Sequence, residues 1–266
     1  MYLDNKRVLI TGGTGSLGKV LTRRILSGQM GTPQSVVVFS RDEAKQHEMR
    51  MDYLNRRSVT EEVMYHNFER KLQFKIGDVR DFHSVAQALT NIDIVFNAAA
   101  LKQVPACEYF PYEAVRTNIE GAENIVRAIK ELRLDVETVV AISTDKACKP
   151  TNVMGMTKAI QERIFLTANI DCPKTRFVAV RYGKPQDSNQ VAFPICSVDR
   201  VLCASPEYLA KFGVLDSLEQ LVEHNCLFYK LDDRTHDQWL FRRDGQEFKV
   251  RVTGNRSAND AEIARR

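Results

Sequence analysis

The chain has 266 residues, of which 44% are hydrophobic and 27% charged, enough to bury a substantial core in one or two domains and to exclude disordered and fibrous classes. Its formal charge of +4 is too small and too evenly spread to point to nucleic acid or a membrane surface as a partner. No apolar run approaches the roughly 18 residues that cross a bilayer, the N-terminus MYLDNKRVLITGG lacks a signal-peptide pattern, and six scattered Cys show no metal-ligand spacing. These features lead us to expect a cytoplasmic protein with reduced thiols, no metal centre and no membrane or nucleic-acid partner.

From residue 7 to 183, short β-branched runs alternate with longer amphipathic stretches, the pattern of a parallel sheet covered by helices on both faces. The predicted strands are 7–11, 35–40, 72–78, 93–99, 138–144 and 175–183, in the order 3-2-1-4-5-6, with the longest helical stretch at 105–132 and another at 152–169. Runs such as VVVF and TVVAI predict burial on both faces, as a doubly wound α/β sheet requires. After Gly183 the order of elements changes. KPQDSNQ (184–190) reads as a crossing segment, followed by a short strand at 200–204, a helix after Ser205-Pro206, a second helix around 215–222, a strand at 227–230 and a hairpin over 239–252 around Asp244-Gly245. Two domains are therefore expected, 1–183 and a smaller separate α/β lobe at 184–266, with formal charges of +5 and −1.

The first strand ends at Thr11 and runs into TGGTGSLG, with Gly12, Gly15 and Gly18 spaced three apart ahead of a helical KVLTRRIL. In this strand-turn-helix setting Gly12 permits the tight turn, Gly15 lets the backbone approach a pyrophosphate and Gly18 lets helix pack on strand. The first amides of the helix, at Ser16 and Leu17, then face the anion. At the end of the second strand, where an acidic residue would bind a ribose 2′-hydroxyl, the sequence has Ser40-Arg41. An arginine there suits a 2′-phosphate, so NADP is expected over NAD. Asp78 and Val79 close the third strand, positioned to accept from an adenine amino group and to pack its ring. Asn97, Ala98 and Ala99 close the fourth with small side chains beside the cofactor.

These residues together resemble the extended branch of the short-chain dehydrogenase/reductase superfamily. Residues 97–126 and STDKACKPTNVMGMTKAIQERIF (143–165) closely resemble nucleotide-sugar 4,6-dehydratases that act on UDP-N-acetylglucosamine in bacterial polysaccharide and protein glycosylation. The resemblance implies a redox-neutral reaction: hydride passes from sugar C4 to NADP+, water is eliminated across C5 and C6, and hydride returns to C6. It assigns contact with the C4 hydroxyl to Thr144, protonation of the departing C6 hydroxyl to Asp145, removal of the C5 proton to Lys146 and a hold on the nicotinamide ribose to Lys158. The superfamily's Tyr, four residues before that Lys on the same helix face, is here Met154, as in a subgroup of these dehydratases; a thioether cannot move a proton. Lys102 and Asn118 match family positions near the substrate and in the central helix.

The resemblance stops at VRYG (180–183). From there RVLCASPEYLAKFG, LEQLVEHNCLFY and GNRSANDAE resemble the effector-binding domain of LysR-type transcriptional regulators, so the chain reads as a chimera. That family's domain has two periplasmic-binding-protein-like subdomains with the ligand between them, whereas one subdomain's worth follows here, and no helix-turn-helix is seen. DNA binding is not expected. His224 and His236 read as surface or packed histidines, and Trp239 as packing under the hairpin. Three functions stay open. They are an NADP-binding dehydratase half with impaired or lost chemistry, a working UDP-sugar dehydratase, and a non-enzymatic fold-recombination module or small-ligand binder. An exposed sheet edge is expected to promote self-association.

Overall fold

A computed structural model describes residues 1–55, 70–181, 193, 195, 201–231, 234–235, 237–243 and 246–258. The chain divides into two compact units, Met1–Gln190 and Val191–Arg266.

The first unit is built on a six-stranded parallel sheet in the order 3-2-1-4-5-6. Its strands are β1 (Arg7–Thr11), β2 (Ser35–Ser40), β3 (Leu72–Ile76), β4 (Ile94–Asn97), β5 (Thr138–Ile142) and β6 (Arg176–Val180). Each falls within the stretch its β-branched composition predicts, and several end a residue or two earlier. Residues 182–183 of the predicted sixth strand and the segment 184–190 lie outside the described residues. Side-chain alternation explains the two-sided burial. Leu9, Val37, Phe39, Val95 and Val139 face one layer, holding α3 (Phe82–Leu89), α6 (Gly121–Glu131) and α7 (Val153–Asp171). Val8, Ile10, Val36 and Val38 face the other, against Ile25 and Leu26 of α1 (Ser16–Leu26) and Met49 and Tyr53 of α2 (Glu43–Asn55).

The helix expected over 105–132 is broken into α4 (Val104–Tyr109), α5 (Pro111–Ala114), a π turn (Val115–Glu120) and α6. Pro111 causes the first break: it pushes Phe110 out of the helical region, to φ −127° and ψ 62°, and then starts the next piece where no N–H is needed.

In the second unit α8 (Pro206–Phe212) is capped by Ser205, whose hydroxyl accepts from the Tyr208 N–H. The helix expected around 215–222 is instead a short 3-10 turn, Leu218–Glu223, started by Gln220 reaching back to the Ser217 and Asp216 amides. The strand expected at 200–204 is not formed over 201–204; these residues are exposed and no described strand pairs with them, so a short apolar run alone does not make a strand there. The predicted hairpin is present as β9 (Gln238–Arg243) and β10 (Gln246–Arg251), paired antiparallel. A second small sheet joins β7 (Asn225–Leu231) to β8 (Arg234–Thr235) and, in parallel, to β11 (Thr253–Ala258). Trp239 packs on a core of Leu221, Cys226 and Val252, and His224 Nδ1 lies 3.1 Å from the Tyr208 hydroxyl. Asp244-Gly245, His236 and 259–266 are outside the described residues. Among the described residues no helix is long and apolar enough to cross a membrane.

Candidate functional site

In a sheet of this order the crevice for a ligand opens where the chain reverses, between the carboxyl ends of β1 and β4. Thr11 ties those two ends together: its hydroxyl donates to Asn97 Oδ1 at 2.6 Å and accepts from the Ala99 N–H at 3.2 Å. Gly12 follows with φ +62°, and a Cβ on it would lie 2.7 Å from the Ala99 N and Cα, so the turn is pressed against 98–99 as only glycine allows. A Cβ on Gly18 would lie 2.4 Å from Gly13 O, so α1 also starts in direct backbone contact with the turn. Gly15, Ser16 and Leu17 are exposed at the head of α1, which has no acidic residue in its first turn. The first amides of a helix have no intrahelical acceptor and carry its positive pole. The turn therefore fits a pyrophosphate, and it is the residues present, not their spacing alone, that make the fit.

At the ends of β2 and β3, Ser40 is buried, its hydroxyl and carbonyl accepting from Gln46 Nε2 at 3.0 and 2.9 Å. Arg41 is exposed, its guanidinium 3.9 Å from Asp78 Oδ2. The Asp78 carboxylate is gripped by Arg80, whose backbone N–H donates to Oδ1 at 3.0 Å and whose Nε and second terminal nitrogen donate to Oδ2 at 2.8 and 2.6 Å. Burial pushes the Asp78 carboxyl upward, but the Arg80 hydrogen bonds and charge, with Arg41 beyond, hold it below the usual carboxylate range. Arg80 also donates to Glu113 Oε2 at 2.7 Å. Val79 is buried, and its carbonyl accepts from Asn124 Nδ2 at 2.9 Å.

The third group lies where β5 meets α7. Thr144 caps a 3-10 turn (Asp145–Ala147) and donates from its hydroxyl to Asp145 Oδ1 at 2.8 Å; the Lys146 N–H donates to the same carboxylate oxygen at 2.9 Å, and Lys146 Nζ stands 3.9 Å from it. Asn152 caps α7 by accepting from the Gly155 N–H at 2.8 Å, and a Cβ at Gly155 would lie 2.4 Å from Lys146 O, so the first turn of α7 packs directly on the 145–147 turn. Lys158, one turn on, is buried, with Nζ donating to the Ile142 carbonyl and to Gln161 Oε1, each at 2.6 Å. Its neighbour Glu162 is buried and paired with Arg181, whose Nε donates to Oε1 at 2.7 Å and to Oε2 at 2.9 Å and whose Nη1 lies 2.9 Å from Cys148 Sγ.

The sequence-derived residues thus gather into a glycine turn with 97–99, an Arg41–Asp78 edge, and the 144–146 turn with Lys158. Met154 and Asn118 stand apart from an open site. Met154 packs its thioether among Cys107 and Ala114, and Asn118 spends its amide on Leu101, accepting from N–H and donating to O, each at 2.9 Å, and on Thr157 Oγ1 at 3.0 Å. Lys102 is exposed beside Leu101. Sequence reasoning misses Arg80, Gln46, Gln161 and the Glu162–Arg181 pair. Arg80 could have been found two residues beyond Asp78, and Gln161 three beyond Lys158, the spacing at which helical neighbours meet. Among the described residues no cluster of His, Cys, Asp and Glu is arranged to hold a metal ion.

Comparison with known proteins adds the relationships. The chain is 41% identical over 198 residues to the UDP-glucose 4-epimerase of Rickettsia conorii, covering 73% of this chain and 53% of that protein. It spans about half the length of the curated relatives it matches. Among solved structures it is similar to Pen from Bacillus thuringiensis, with 37% identity, 69% of this chain and 51% of that chain covered, and a TM-score of 0.59. It shares its fold with the UDP-glucose 4-epimerase from Brucella ovis in complex with NAD, at 22% identity, 66% and 51% coverage and a TM-score of 0.50. Residues 178–266 match the LysR substrate binding domain. Residues 8–195 match the polysaccharide biosynthesis protein family, to which this chain belongs.

Proposed function

We propose that residues 1–183 form an NADP-binding unit of the nucleotide-sugar 4,6-dehydratase type, whose turnover is impaired or lost because LysR-type sequence takes the place of the substrate-binding region. The observation that carries the dinucleotide reading is the Gly12 turn pressed on Ala99 with the exposed first residues of α1 beside it. When bound, NADP supplies the acceptor and donor of the sugar's hydride. Lys158 holds the nicotinamide ribose, Thr144 meets the C4 hydroxyl, Asp145 gives a proton to the departing C6 hydroxyl and Lys146 takes the proton from C5. Their shared turn supports this division of labour, because one carboxylate and one amine stand within 3.9 Å of each other at the mouth of β5. We place the hand-over between the two families at residue 183, inside the overlap of the two matches. The substrate implied is UDP-N-acetylglucosamine. Without its grip the sugar is misplaced, and about an ångström of misplacement costs on the order of a hundredfold in rate. Measuring conversion of UDP-N-acetylglucosamine in the presence of NADP+ tests this: turnover at a dehydratase's rate would overturn the impairment, and its loss in Lys146→Ala would then identify the base.

A second reading, C4 epimerisation, is favoured by the name of the Rickettsia relative. Both reactions begin with removal of hydride at C4, and product analysis separates them: a 4-keto-6-deoxy sugar for the first, a C4 epimer for the second.

The NADP preference rests on Arg41, which is exposed and held only loosely by Asp78 at 3.9 Å, and so is free to turn to a 2′-phosphate. Arg41→Ala is expected to weaken NADP+ by about tenfold or more while leaving NAD+ nearly unchanged, the scale of a charged hydrogen bond. Equal losses for both cofactors in a calorimetric comparison would remove Arg41 from that role.

A further inference from the structure

Lys158 is buried, yet its surroundings provide for an ammonium group. An ammonium has three N–H donors; two are used here, on the Ile142 carbonyl and on Gln161 Oε1, each at 2.6 Å. One is left for a ligand oxygen. Gln161 is itself buried to 1% exposure, and its Nε2 has no hydrogen-bond partner, as is also true of Ser143 Oγ next to Ile142. An amide that leaves its own N–H unspent in the interior to aim its oxygen at Lys158 has its orientation set by the lysine's charge.

Building on the dinucleotide reading above, we propose that Gln161 is the positioning residue for Lys158. Its side-chain oxygen, with the Ile142 carbonyl, fixes the ammonium at the carboxyl end of β5 and keeps it charged for the nicotinamide ribose. The charged groups on the packed elements are otherwise engaged. Glu162 is spent on Arg181 after β6, Asp145 and Lys146 hold each other on the 3-10 turn, and Glu108 of α4 accepts from the Val153 N–H. Glu113 of α5 pairs with Arg80 and Arg116, Lys130 of α6 reaches α7 only at Asp171, and the π turn presents the neutral Asn118 to α7. Burial lowers the Lys158 ammonium to about 8, with Glu162 opposing. The charged form is therefore lost as pH rises through that value, and cofactor affinity falls with it.

The test uses the full chain labelled with 13C-lysine. The Lys158 Cε resonance, assigned by its absence in Lys158→Met, is titrated by NMR without cofactor, and NADP+ affinity is measured by calorimetry across the same pH range. The wild-type midpoint is expected at about 8. Gln161→Met, nearly isosteric and free of the unspent donor, should lower it by about one pH unit or more, and Gln161→Glu should raise it by at least as much, as a lost and a strengthened charged hydrogen bond require. Affinity should fall through each variant's own midpoint, while Gln161→Met unfolds at no lower urea concentration than wild type. Unmoved midpoints in both variants overturn the proposal, and so do moved midpoints with an unmoved affinity profile. If wild type binds no dinucleotide at any pH, the dinucleotide reading fails with its ribose role, and the Lys158 midpoints alone still decide whether Gln161 holds the lysine.

Discussion

Gly12→Ala is expected to abolish dinucleotide binding and to destabilise the first unit by about 3 kcal/mol or more, read from urea unfolding. Two costs combine. The left-handed backbone at φ +62° disfavours any L side chain by about 1–2 kcal/mol. The new methyl would also stand 2.7 Å from the Ala99 N and Cα, backbone fixed by the Thr11 hydroxyl and the ladder of β4, so neither wall can yield without moving the turn. Gly28 provides the control. It also has a positive φ, +79°, but nothing lies within 4 Å of a Cβ placed there. Gly28→Ala should therefore show the backbone cost alone, about 1–2 kcal/mol, and keep cofactor affinity. Equal losses in the two variants would mean that the contact between the turn and 98–99 does not hold the site together.

The second large effect is expected at the Glu162–Arg181 pair. Arg181→Met leaves a carboxylate buried with its partner gone, which typically costs about 3–5 kcal/mol, whereas replacing both residues with apolar ones of similar size is often near neutral. The double variant Glu162→Met/Arg181→Met should thus be more stable than Arg181→Met alone. The exposed i,i+4 pair Arg127–Glu131 sets the comparison, since Glu131→Gln, which leaves Arg127 over the Phe82 ring, should change stability far less than Arg181→Met. A small loss in Arg181→Met, or a double variant worse than the single, would show that the pair does not act as a buried unit. Glu162 also favours the charged form of Lys158, so the loss of its charge is felt at that ammonium as well as in the fold.

The sheet was legible because its central strands β1 and β2 are buried on both faces, and short β-branched runs such as SVVVFS or TVVAI can be little else between helical stretches. The glycine turn was legible for a similar reason: the requirement falls on backbone, and glycine spacing records it. Elsewhere the pattern misled where local signals lacked their tertiary partner. The short apolar run at 200–204 predicted a strand, but no described strand lies beside residues 201–204. The amphipathic stretch 105–132 concealed the break at Phe110-Pro111 and the π turn, because the apolar positions continue through both. At the site, the sequence marked strand ends and could not show what fills the space between them. Asp78 was placed at the end of the third strand, but Arg80 folding back onto it is a matter of rotamer, not of period. On α7 buried Gln161 and Glu162 interrupt the apolar face, and a polar pair there reads as solvent-facing until the Lys158 and Arg181 contacts are seen. Met154 shares a helix face with Lys158 by spacing, yet its side chain packs with Cys107 and Ala114 from the broken helix that sequence had joined into one.

The central claim is a dinucleotide-binding half retained in a chain whose sugar-binding region has been replaced. Calorimetric titration of the purified, nucleotide-stripped protein with NADP+ and, separately, with UDP-N-acetylglucosamine tests it most directly. The account predicts saturable NADP+ binding, lost in Gly12→Ala, and no measurable heat with the nucleotide-sugar. Absence of NADP+ and NAD+ binding would contradict the Rossmann-site reading, and tight binding of the sugar nucleotide would contradict the loss of substrate grip.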